Sequence, residues 1–179
     1  MPVVTRLGRQ RDTWFGLGPR DPLRRFNSMP DPDAAALLRK CLPVDRWVHT
    51  VLDARPFKDP NELLEVARQA ASPFTPAELE AAVAGYHNPA LMPPLRRGRL
   101  SSADEFVRQQ IQSGIHTYES RFGRPFVVRT DGRLPTEILV QLWDRLSHDI
   151  DTEDREVAQQ LREIALLELT KTIGYKQRG

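Results

Sequence analysis

The sequence predicts an all-α fold, a single-domain bundle of about seven helices with a long Pro-rich loop and one short extended segment. Three observations carry that prediction. Apolar residues recur at helical spacing from Phe26 onward. Helix-start signatures stand ahead of several of those runs. One stretch alone, RPFVVRTDGR, reads as extended, and it is too isolated to find a partner for a sheet. A chain of 179 residues lies within the range of one domain and can bury a substantial core.

Residues 1–25 carry Arg6, Arg9, Arg11, Arg20, Arg24 and Arg25 among Gly and Pro without an apolar period, which predicts a mobile basic arm before a helical domain over 26–179. Ser28 or Asp31 can start a helix through 34–42. Pro43 then opens a second, with Trp47, Val51 and Ala54 on one face. RPFKDP breaks it. Asp59, Pro60 and Glu62 supply an N-cap, a first-turn proline and a first-turn acid for the run NELLEVARQAA. Thr75 and Glu78 form a capping box for a helix reaching about Tyr86. The stretch 87–100 holds Pro89, Pro93, Pro94 and Gly98, so it reads as the long loop. Ser102-Ala103-Asp104-Glu105 starts the next helix, whose inward stripe is Val107, Ile111, Ile115, Tyr118 and Phe122, and Gly123 stops it. RPFVVRTDGR ends in an Asp131-Gly132 turn. LPTEILVQLWDRLSH and DTEDREVAQQLREIALLELTKTI supply the last two helices, the final one being the longest.

Composition narrows the function classes. A net charge of +2, with basic residues interleaved with acidic ones outside the arm and Arg96, Arg97 and Arg99, argues against nucleic acid as a partner. No apolar run is long enough to span a membrane. The single cysteine, Cys41, cannot form an internal disulfide, and MPVVTRLGRQ has no apolar signal core, so a cytoplasmic location is expected. The histidines do not recur at metal-ligand spacing, and there is no Gly-rich phosphate loop or serine nucleophile elbow. These patterns point to acid–base chemistry without a cofactor, or to none.

Of the four histidines, His49 falls mid-helix beside Trp47, and His116 and His148 fall on or near polar faces. His87 ends a helix and opens the Pro-rich loop, where an imidazole can serve as acid or base near neutral pH. The same position suits a histidine that interacts with the last helix carbonyls. Ser102-x-x-Glu105 is equally a capping box, yet it closes the loop that His87 opens and can bring a carboxylate to the imidazole. On the last helix Val157, Leu161, Ile164, Ala165 and Thr172 form a stripe with Glu168 near its middle. A carboxylate there faces a pocket, finds a cation such as Arg145, Arg162 or Lys171, or reaches water at a frayed end.

With those residues in view, the chain resembles the 2-oxo-4-hydroxy-4-carboxy-5-ureidoimidazoline (OHCU) decarboxylases of the urate-to-allantoin pathway. The resemblance runs over about 26–173. It rests on FNSMP, RWVHTVLDARPF with NELLEVA following, the His87 loop, Ser102-x-x-Glu105, YESRFGRPFVV and DRLSHDIDTEDREVAQQLREIALLEL, in that order. It implies an all-helical bundle, often a homodimer, acting without a cofactor on a small-molecule substrate. It further implies a catalytic pair of His87 and Glu105 with Ser102 beside them, and Phe126, Val127 and Val128 along the ligand.

Three positions depart from the family pattern. Asn88 stands where proline usually follows the histidine, deferring it to Pro89; Phe106 stands where glutamine usually follows the glutamate; and Glu168 replaces an arginine of the last helix. Exchanging a cationic fork for an anion reverses the local field, so these substrate-facing positions suggest a less anionic ligand. Three functions follow as expectations: OHCU decarboxylation to (S)-allantoin and CO2; a related decarboxylation, isomerisation or cyclisation of another substrate in specialised biosynthesis; or a non-catalytic helical module binding a small molecule or partner.

Overall fold

The computed structural model describes residues 21–86 and 102–174. Among them are eight helices and no strand: α1 (Pro22–Ser28), α2 (Asp31–Cys41), α3 (Asp45–Asp53), α4 (Pro60–Ala70), α5 (Pro76–Ala84), α6 (Ser102–Phe122), α7 (Pro135–Arg145) and α8 (Ile150–Thr172). None of these helices is long and apolar enough to cross a membrane.

The all-α prediction holds, with one helix more than the sequence suggested. That helix, α1, begins inside the stretch assigned to the basic arm. Asp21 caps it by accepting from the Leu23 amide at 3.1 Å, Pro22 occupies its first position, and Leu23 and Phe26 are buried. Two apolar anchors in a short run were enough to fix a segment whose arginines hid its period. The Arg55 guanidinium donates to the carbonyls of Phe26 and Met29 and so holds the end of α1 against the α3–α4 connection.

The expected caps form. Asp59 accepts from the amides of Asn61 and Glu62, and Thr75 and Glu78 close the capping box at the head of α5. Glu78 also takes two bonds from Arg46, whose remaining donors reach the carbonyls of Ala70 and Pro73. One guanidinium therefore ties α3 to both ends of the α4–α5 connection. Trp47 is fully buried, and its indole N–H donates to the Ala67 carbonyl at 2.8 Å, which satisfies the ring's polar atom inside the core.

Helix α8 packs against α2, α4 and α5 and organises the larger apolar cluster, while α6 and α7 pack on each other around a smaller one. RPFVVRTDGR forms neither helix nor strand and makes a strap whose middle residues, Phe126, Val127 and Val128, are buried. Val127 belongs to the larger cluster, and Phe126 and Val128 to the smaller.

A charged group bridges the two clusters. Arg145 and Glu153 are both buried and paired, and Tyr118 donates to the same carboxylate. Arg145 also donates to the Val127 carbonyl at 2.6 Å and lies over the Phe126 ring, and His148 Nδ1 sits 2.9 Å from Glu153. Burial acts to raise the Glu153 carboxyl, but the bonds from Arg145 and Tyr118 outweigh it and hold the group below its usual range. A buried pair of this kind is tolerable because its hydrogen-bonding capacity is filled.

Candidate active site

A cleft of about 610 Å³ opens where the end of α2, the end of α5, the strap beyond Val128 and the last turns of α8 converge. Three local features shape it. The α2–α3 link places Pro43 so close to Gly85 that a Cβ there would lie 2.9 Å from its ring, which lets the end of α5 approach. Tyr86 follows on the cleft wall, its hydroxyl donating to the Val128 carbonyl at 3.0 Å and accepting from the Val128 amide at 3.3 Å. Buried Gln160 on α8 accepts from the Arg129 amide at 2.9 Å, so the strap is pinned on both sides as it enters the cleft.

Among the described residues the lining is cationic on balance. Arg39, Lys40, Arg129 and Lys171 face Asp131 and Glu168. Lys171 lies 2.9 Å from Glu168 and 3.8 Å from Asp131. Its ammonium is held charged chiefly by the Glu168 hydrogen bond. Cys41 is also in the lining, and burial pushes its thiol up to about 11, with the Glu168 charge adding to the rise against an opposing Thr172 hydroxyl. It is therefore a neutral thiol at physiological pH rather than a nucleophile. The described wall carries more cationic than anionic side chains, which suits an anion. The next residue in the chain after Tyr86 is His87.

The family model for OHCU decarboxylase matches residues 27–93 and 95–170. The chain belongs to the OHCU decarboxylase family. No curated protein matches it in sequence. Among solved structures, a crystal structure of (S)-allantoin synthase aligns with TM-score 0.64 at 15% identity, covering 84% of this chain but only 53% of that one. The chain thus spans about half the length of that protein. A crystal structure of OHCU decarboxylase in the presence of (S)-allantoin aligns with TM-score 0.63 at 16% identity, covering 82% of this chain and 99% of that one. These likenesses establish the shared fold, and the family is that of a decarboxylase.

Against the family expectation, the described residues divide. Glu168 lines the cleft. It is half-exposed rather than central to the buried stripe of α8, which runs through Glu153, Val157, Gln160, Leu161, Ala165 and Leu169. Successive four-residue steps drift by about 40° around a helix, so the stripe has moved past Glu168 to Leu169 by the last turns. Its partner is Lys171; Arg145 is committed to Glu153. Glu105 lies at the start of α6 in a forked pair with Arg108 and takes a further bond from Gln109, and it does not line the cleft. The Arg108 hydrogen bonds lower its pKa, which suits a permanent anion rather than an acid. Phe106 beside it is 60% exposed and also outside the cleft.

The side chains of Phe126, Val127 and Val128 face the two apolar clusters, which leaves their backbone as the part that could run along a ligand, and the cleft lining begins one residue later, at Arg129. His87, Asn88 and Pro89 lie outside the described residues, as does the side chain of Ser102. Arg129, Lys40 and Tyr86 escaped sequence reasoning. They come from separate stretches, and no spacing pattern links them.

Proposed function

We propose that the chain is a cofactor-independent decarboxylase acting on OHCU, with His87 as the acid–base group and the α2–α5–α8 cleft as the substrate site. The observation that carries this reading is the cleft itself. It joins a surplus of positive charge, suited to a carboxylate substrate, to a wall whose residue Tyr86 immediately precedes His87. In the reaction the bond from the ring to the carboxylate breaks and CO2 leaves. The electron pair passes into the ring, and a proton delivered to one face completes a single allantoin enantiomer. The cationic wall would hold the substrate's carboxylate, while the imidazole would manage the proton.

Glu168 supports a second reading, in which a family member has been repurposed for a related decarboxylation, isomerisation or cyclisation of a less anionic substrate. Its pairing with Lys171 and the cations around it weigh toward the first. The test is direct. Freshly generated OHCU, followed by circular dichroism, should give optically active allantoin at least ten-fold faster with the protein than by spontaneous decay, and His87→Ala should abolish that excess. A decay rate unchanged by the wild-type chain removes OHCU as the substrate. Full activity in the His87→Ala variant removes the acid–base role.

A further inference from the structure

Arg129 is the unusual cation of the cleft. Arg39 is drawn to Asp45 at 3.1 Å, and Lys171 is shared between Glu168 and Asp131. The Arg129 guanidinium makes no hydrogen bond among the described residues. Its Nε is buried without a hydrogen-bond partner, and its one ion pair among the described residues, with Glu163 at 3.7 Å, is partly exposed and lies outside the cleft lining, so its fork is not claimed by a carboxylate of the cleft. A buried donor left without a partner is costly, and a guanidinium offers a planar fork matched to a carboxylate. The backbone that carries it is fixed: Gln160 accepts from the Arg129 amide while donating to Glu156 at 2.9 Å, and Tyr86 clamps Val128 just before it. Lys40, also in the lining, makes no ion pair among the described residues.

We infer that Arg129, supported by Lys40, is the anion receptor of this cleft and selects a ureide-type ring bearing a carboxylate, with Glu168 neutralised by Lys171 so that it does not cancel the receptor. This rests on the cleft being the substrate site of the proposed decarboxylase. It also assigns the binding of the substrate's charge to the strap rather than to the last helix, where this chain carries Glu168.

The probes are hydantoin-5-acetate, a ureide ring with one carboxylate, and its neutral amide, each titrated calorimetrically into the full chain. The wild type should bind the acid at least ten-fold more tightly than the amide. Arg129→Gln should weaken the acid about ten-fold while leaving the amide within two-fold, and Arg129→Lys should recover part of the loss. Because the guanidinium makes no hydrogen bond among the described residues and its pair with Glu163 is long and partly exposed, the substitution should leave the thermal midpoint nearly in place, so a failure of folding is read separately. Glu168→Gln should tighten the acid, since it releases Lys171. Equal binding of acid and amide, binding of neither, or an Arg129→Gln variant that holds the acid as the wild type does would each overturn the receptor. OHCU turnover separates the two levels. Discrimination between the probes without turnover removes the decarboxylase reading and keeps the receptor. Turnover with KM unchanged in Arg129→Gln keeps the reaction and removes the receptor.

Discussion

Four glutamates show how the same side chain takes different roles through its neighbours. Glu153 is buried and kept ionised by Arg145 and Tyr118, Glu105 is spent on Arg108 at the surface, and Glu168 stands in the cleft with Lys171. Glu78 is held by a guanidinium and by the head of its own helix. The Arg46 hydrogen bond, helped by the Thr75 amide and hydroxyl, holds its carboxyl down to about 2. A depressed folded-state pKa adds stability that is complete above the unfolded value and is lost as pH falls through the folded one. The window is therefore from the ordinary value of 4.5 down to about 2. Replacing Glu78→Gln should cost about 1–2 kcal/mol at pH 7, since it removes the charge from the forked pair with Arg46, while the Gln amide oxygen can still complete the capping box. Urea titrations across pH should show the wild type weakening through that acid window and the variant weakening less. Parallel curves for the two proteins would mean that Glu78 does not carry the acid limb.

At the scale of elements, the α6–α7 contact depends on Gly114. A Cβ built there would lie 2.6 Å from Leu142 Cδ2, and Leu142 is itself fully buried among Ile111, Tyr118 and Phe126. Gly114→Ala sets two effects against each other. Helix propensity would gain roughly 1 kcal/mol, whereas overpacking a closed cluster costs about 1–3 kcal/mol. Loss should win, giving a lower urea midpoint; a raised midpoint would show that Leu142 can rotate away. The sequence revealed the helices far better than it revealed this contact. Caps at Asp59 and at Thr75 with Glu78 are local chemistry, so they were readable, and so was the stripe Ile111, Ile115, Tyr118 of α6. What was not readable depended on tertiary placement. The α1 helix was hidden by its arginines, and the α8 stripe drifted off Glu168. The strap's three apolar side chains turned to the core because clusters lie on both sides of it. The cleft was hardest of all, because its charges come from α2, the strap and α8, and only their packing makes them neighbours.

At the scale of the molecule, two apolar clusters must behave as one body if a cleft at their border is to hold a fixed shape. Val127 and Phe126 are successive residues packed into different clusters, so the strap is the seam, and polar ties close it. Arg145 binds the Val127 carbonyl, Gln160 the Arg129 amide, and Tyr86 both polar groups of Val128. The Tyr86 tie is distinctive because the same side chain lines the cleft and comes directly before His87 in the chain. Tyr86→Phe keeps the ring and removes the hydroxyl, leaving the Val128 amide and carbonyl without that partner, at a cost of about 1–2 kcal/mol. Opening of the seam should be local rather than global. Native-state hydrogen exchange should therefore show the Val128 amide accelerated at least ten-fold, while amides within α3 and α4, remote from the seam, keep their wild-type rates. If Val128 exchanges no faster, the hydroxyl is not what closes the seam. If α3 and α4 accelerate equally, the two clusters unfold as a single unit and the seam has no separate opening.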